Sequence, residues 1–175
     1  MKKLSLLVVA LIALSTSKIL AQTALRAEVV GHQFHITVPD YMIRTIGIND
    51  AASVQFKNDA KDVYSFVIED SKADLLLVDM KFSSAKEFYD NFIKDFVKDM
   101  KGIVQTTPKE FTKEGVKYVQ TELSYYDKEV KGKIYYNITI AETKDYFYKI
   151  LSYTSEANKA TLREDLTNLA TTIRD

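Results

Sequence analysis

Hydrophobic and polar side chains alternate with a period of two through four runs in the second half of the chain, 103–112, 116–127, 133–142 and 146–154. The connections between them, "KEG", "KEVKG" and "TKD", are too short for parallel crossovers, so the pattern predicts a four-strand antiparallel meander. Upstream, "GHQFHITVP" sets Phe34, Ile36 and Val38 on one side of a half-buried strand that Pro39 stops. "SVQFK" (53–57) and "VYSFVIED" (63–70) flank the turn-forming "NDAKD" and predict a hairpin. The period then changes. Ser71 can cap a short apolar turn through "ADLLLVDM", and Ser84 with Glu87 forms a capping box opening a longer helix. In that helix Phe88, Tyr89, Phe92, Ile93, Phe96, Val97 and Met100 make one buried stripe, Asp90 and Lys94 pair on the outer face, and Gly102 ends it. A closing helix places Leu162, Leu166, Leu169, Ala170 and Ile173 on the face that meets the sheet.

The segment "YYNITIAETKDYFYKILSY" (135–153) holds five of the 11 tyrosines. A three-residue turn, Thr143 to Asp145, would pair Glu142 with Tyr146 and carry Ile138 opposite Ile150. That register gives a core face of Ile134, Tyr136, Ile138 and Ile140 beside Tyr146, Tyr148 and Ile150. The other face is mixed, with Tyr135, Asn137, Thr139 and Ala141 beside Phe147, Lys149, Leu151 and Tyr153. A one-residue slip would bring Lys149 opposite Ile138 or Ile140, so the unslipped register is expected. The plain reading of the tyrosines is sheet architecture, since an amphipathic ring fits a strand. The sharper reading makes Tyr135, Asn137, Lys149 and Tyr153 a candidate binding face, either a groove under a helix or an exposed patch.

The N-terminus changes the setting. "MKKLSLLVVALIALSTSKILAQ" has two lysines, a short apolar run and a small residue before Gln22, which reads as a signal peptide over 1–21, with cleavage after Ala21 or, as a second choice, Ala24. The expectation is one exported domain over 22–175, periplasmic or secreted. The chain has no cysteine, which excludes a lipid-anchored N-terminus and a disulfide framework. No membrane anchor is then expected after cleavage. Losing Lys2, Lys3 and Lys18 from 24 basic residues against 24 acidic ones leaves a net charge of −3. That balance argues against a nucleic-acid groove.

Catalytic patterns are weak. His32 and His35 stand three apart on a strand and point to opposite faces, a poor metal pair. No Gly-x-Ser-x-Gly elbow is present, and the five glycines are isolated, which removes a phosphate loop. Glu69 with Asp70 and Glu164 with Asp165 read as solvated charge. "NIT" at 137–139 matches a glycosylation sequon in mid-strand, where chance is the better account. No cofactor is expected, and the chain reads as a binding protein rather than an enzyme.

The order of strand, "VPDYMIRT", "NDAASVQFKN", "YSFVIEDSK", amphipathic helix, meander and C-terminal helix resembles small secreted bacterial relatives of the PsbP-like superfamily. That superfamily includes the PsbP subunit of photosystem II and a nuclear-import factor that binds the GTPase Ran. The resemblance implies an α+β fold, a three-layer α/β/α sandwich with a central antiparallel sheet, and an accessory or binding role. None of the superfamily's ligand residues can be matched here, so none is carried over. The partner would be an envelope protein or, alternatively, a small apolar ligand held between the helix bearing Phe88, Phe92 and Phe96 and the sheet.

Overall fold

The computed structural model describes residues 25–30 and 33–175. The expected signal peptide, its cleavage point and His32 lie outside the described residues. In chain order come β1 (Leu25–Val30), β2 (Phe34–Pro39), β3 (Ile43–Thr45), β4 (Val54–Asn58), β5 (Val63–Ser71), α1 (Lys72–Leu77) and α2 (Ala85–Val97). These are followed by β6 (Val104–Gln105), β7 (Lys109–Lys113), β8 (Val116–Asp127), β9 (Gly132–Glu142), β10 (Tyr146–Ser155) and α3 (Lys159–Leu169). Eight strands form one antiparallel sheet in the order β3-β4-β5-β10-β9-β8-β6, with β7 also paired to β8. Helices α1 and α2 lie on one face; α3 and a separate ribbon of β1 and β2 lie on the other. This is the expected α+β sandwich with a C-terminal helix.

Each side of the sheet carries its own core. Phe34, Ile36 and Val38 from β2 and Leu162, Leu166, Leu169, Ala170 and Ile173 from the C-terminal segment are buried against Val63, Val67, Tyr135, Tyr148 and Ile150. On the opposite side Phe88 and Tyr89 meet Val119, Leu123, Ile138, Ile140 and Phe147. The alternation of β2 and the apolar face of α3 were both legible because each element has one dry and one wet side. β2, however, stands outside the main sheet. It pairs with β1 and, through two backbone bonds between His35 and Arg174 of 2.6 and 3.1 Å, with the C-terminal segment.

The meander forms, with two corrections. The run 103–112 is broken into β6 and β7: the Thr106 N–H still donates to the Glu122 carbonyl at 2.9 Å, and the ladder stops beyond it, ahead of Pro108, which has no N–H to donate. The second correction concerns register. Glu142 pairs with Phe147, Ile138 with Leu151 and Ile150 with Thr139. The Thr143 N–H donates to the Tyr146 carbonyl at 3.0 Å, so the turn is the two residues Lys144 and Asp145 rather than three. Ile138 and Ile150 therefore face opposite sides, and Lys149 does stand opposite Ile140. The slip is tolerated because both faces are covered, so neither needs to be uniformly apolar, and Lys149 finds an ion-pair partner in Asp70 at 2.8 Å.

The helix starts behave as the caps predict, with variations. Ser71 Oγ accepts from the Asp74 N–H and Ser84 Oγ from the Glu87 N–H. The Glu87 carboxylate bonds Ser83 rather than Ser84, closing the box one residue early. Asp90 pairs with Lys86 at 2.6 Å instead of Lys94. A more distant clamp was not legible: Glu142 at the end of β9 accepts the Ala85 N–H at 2.9 Å and the Lys72 ammonium at 3.0 Å, tying both helix starts to one buried carboxylate.

Candidate functional site

The corrected register divides the four candidate residues. Tyr135 and Asn137 lie on the face under α3, both fully buried, while Lys149 and Tyr153 lie on the α2 face and are partly exposed. They do not make one surface. Each pair belongs to a different arrangement.

Under α3 the polar flank of the helix is matched to polar rows of the sheet. Lys159, Arg163 and Thr167 are spaced four apart and so project along one side of the helix. The Lys159 ammonium sits 4.7 Å from the centre of the Tyr135 ring. Arg163 donates from Nε and Nη2 to Glu122 Oε1 at 2.9 and 2.6 Å. Asn137 donates to Thr167 at 3.3 Å. Beneath them Gln120 donates to Thr139 at 2.9 Å and to Asn137 at 3.3 Å. Between the helix and β8, bordered by the gap that separates β6 from β7, is a cleft of 430 Å³ lined by Thr106, Lys109, Gln120, Glu122, Arg163 and Thr167, among others. The Tyr135 hydroxyl lies within electrostatic reach of Glu122, Arg163 and Asn137 but makes no hydrogen bond of sound geometry. Burial, then the charge of Glu122, pushes its pKa up to about 12. Asn137, the acceptor of the sequon, is fully buried, so the folded chain cannot present it to a glycosylating enzyme.

On the α2 face Tyr153 belongs to a ladder of stacked rings that crosses four strands. Tyr64 lies 5.0 Å from Tyr153 at an interplanar angle of 17°, and Tyr153 lies 5.0 Å from Tyr136 at 28°. Tyr136 continues to Tyr125 at 6.3 Å and receives the edge of Phe96 from α2 at 5.5 Å. The backbone register explains the row: Tyr64 pairs with Tyr153 and Tyr153 with Tyr136. All four rings are partly exposed. A cleft of 370 Å³, lined by Tyr64, Val130, Lys133, Ile134 and Tyr153 among others, opens at one end. Beyond Tyr125 lies another of 330 Å³, with Phe96, Met100 and Tyr126 in its wall. Burial, followed by its hydrogen bond to Asp127, raises the Tyr125 pKa to about 12. Tyr64 and Tyr125 were missed by sequence reasoning; the correct β9–β10 register would have set Tyr136 beside Tyr153, but Tyr64 joins them only through the pairing of β5 with β10. Lys149 lies deeper along the same face, ion-paired with Asp70 and within 6 Å of the Phe88 and Phe92 rings, at 5.6 and 5.8 Å. It acts as a pillar between helix and sheet.

The remaining ionisable candidates are dispersed. Asp70 is engaged by Lys149, Asp165 accepts from the Tyr41 hydroxyl at 2.7 Å, and Glu164 stands at the rim of the α3 cleft. His35 is exposed on β2. Among the described residues no three histidine, aspartate or glutamate side chains converge as metal ligands would. Nor is any described helix long and apolar enough to cross a membrane.

No protein-family model and no curated protein matches the chain. Solved structures do. Cyanobacterial PsbP from Synechocystis sp. PCC 6803 superposes with a TM-score of 0.60 at 12% identity, over 93% of this chain and 98% of that one. The Ran-binding protein Mog1p of Saccharomyces cerevisiae gives 0.59 at 10% identity, over 87% and 96%. LpqN of Mycobacterium tuberculosis, a protein involved in cell envelope biogenesis, gives 0.55 at 13% identity, over 88% and 91%. The likeness extends over most of the length on both sides, and the chain has the PsbP-like fold.

Proposed function

We propose that the protein is an exported, non-catalytic binding protein that docks a partner protein of the cell envelope on its tyrosine ladder. The observation that carries this reading is the stack Tyr64–Tyr153–Tyr136–Tyr125, partly exposed and bordered by clefts of 370 and 330 Å³. Tyrosine offers a large, stiff, amphipathic contact at low entropic cost, and stacking its neighbours fixes the rings before a partner arrives. Val130 and Tyr126, 66% and 49% exposed, extend the apolar surface along the β8–β9 turn. Neighbours of the same fold agree in kind, one being a Ran-binding protein and another acting in envelope biogenesis. The N-terminal signal-like segment supplies the compartment. A carrier of apolar ligands draws less support, because the α2–sheet interface is occupied by packed rings, Phe88 on Phe147 at 4.5 Å.

The test is crosslinking in the native envelope from a photoreactive residue placed at Lys133, beside the ladder, and from one at Lys144 as a remote control. A defined partner band is expected from position 133 alone, and Val130→Glu should abolish it while leaving the melting temperature within the small range of an exposed substitution. Equal crosslinking from both positions, or a band indifferent to Val130→Glu, would overturn the assignment.

A further inference from the structure

We propose that the cleft between α3 and β8 is a second binding site, for a small uncharged polyhydroxylated ligand of the saccharide class. It lies on the opposite face from the tyrosine ladder and does not depend on that reading.

The lining sets the class. Thr106 and Thr167 present hydroxyls and Gln120 an amide, with buried Asn137 and Thr139 bonded behind them. Ala160 is the only apolar residue in the wall as described, so an apolar ligand gains little there. Charge is balanced, Lys109 and Arg163 against Glu122 and Glu164. Arg163 and Glu122 already neutralise one another at 2.6 Å. An anion or a cation would have to pull that pair apart, whereas a ligand hydroxyl can donate to the carboxylate and accept from the guanidinium while both remain in contact. The volume of 430 Å³ falls within the ~300–1,000 Å³ typical of small-molecule sites.

A second observation is independent of the lining. The Tyr135 side chain is fully buried and its hydroxyl makes no hydrogen bond of sound geometry among the described residues, although Asn137, Arg163 and Glu122 surround it. A buried hydroxyl without a partner is uncommon and costly. Here it gives the network spare capacity: when a ligand hydroxyl takes over one bond of Asn137 or Arg163, the side chain released can turn to Tyr135. The polar floor can therefore exchange partners without leaving a group stranded.

The experiment is an NMR titration of isotopically labelled full-length mature protein with maltose and glucose, set against glucose 6-phosphate and glucuronate. Saturable shifts are expected for the Gln120 and Asn137 side-chain amides and the Arg163 Nε–H with the neutral sugars. Arg163→Met, at a largely exposed position that should not disturb folding, is expected to weaken binding by about tenfold or more through loss of a charge-assisted bond. Lys144→Gln, at the exposed turn between β9 and β10, should leave it unchanged. Absence of saturable shifts with both neutral sugars, tighter binding of the charged sugars, or full binding by Arg163→Met would each overturn the proposal.

Discussion

Ile138 and Ile150 are both fully buried, yet they belong to different cores on opposite faces of the sheet. Truncating either to alanine should cost about 2–5 kcal/mol through lost burial and an unfilled cavity. Because they share no contact surface, the double variant should show the sum to within about 0.5 kcal/mol in denaturant melts, whereas Ile138→Ala with Leu151→Ala, cross-strand partners on one face, should depart from additivity. Tyrosines give a second prediction at this scale. Burial raises Tyr125 and Tyr135 from an ordinary 10.0 to about 12 and pushes Tyr136 and Tyr148 further. A pKa raised on folding means that the neutral phenol is favoured in the native state. Its stabilising contribution is complete below pH 10 and is lost as the pH rises through 12. Stability should thus fall steeply across that window, with phenolate absorbance and loss of ellipticity developing together. The residue chemistry of this segment was legible in part: aromatic residues at strand spacing do build the sheet. The pairing of the faces was not, because one lysine opposite an isoleucine looked prohibitive when Asp70, on a strand distant in sequence, was unknown as its partner.

Among the elements, α1 and α2 owe their placement to Glu142 as much as to their own apolar residues. α1 buries none of its six residues, and Leu77 on it is 82% exposed. What holds its start is the Lys72 ammonium on Glu142, 3.0 Å away, and the Lys72 N–H on the Asp145 carbonyl at 2.9 Å. Glu142→Gln keeps the shape but weakens the bond to Lys72 and one to the Ala85 N–H. It should cost about 1.5–3 kcal/mol, the range for hydrogen bonds to a charged group, and accelerate amide exchange at Ala85 ahead of the sheet interior. Exchange confined to global unfolding would contradict this. The helices themselves were readable from Ser71, Ser84 and the Phe88–Phe92–Phe96 stripe, since caps and periodicity are local. Glu142 could not be read, because its partners lie 57 and 70 positions away.

At the scale of the molecule, layer composition followed from pattern, while strand order did not. Nothing in β5 or β10 announces that they are neighbours, since both are amphipathic strands with a choice of partners, yet their nine-residue pairing joins the two hairpin systems into one sheet. That join has a kinetic meaning. Val63 pairs with Thr154, and His35 with Arg174, so contacts that close the sheet and seat the ribbon span most of the chain. A ribosome or a translocation pore delivers these partners last, and an emerging chain halted before β10 holds two half-sheets whose inner edges are bare. Topologies dominated by such distant pairings fold slowly, over about milliseconds to seconds, and expose unpaired strand edges meanwhile. The architecture that brings early and late strands together in mid-sheet therefore delays the protein's resistance to proteases and to edge-to-edge association until synthesis has passed Arg174.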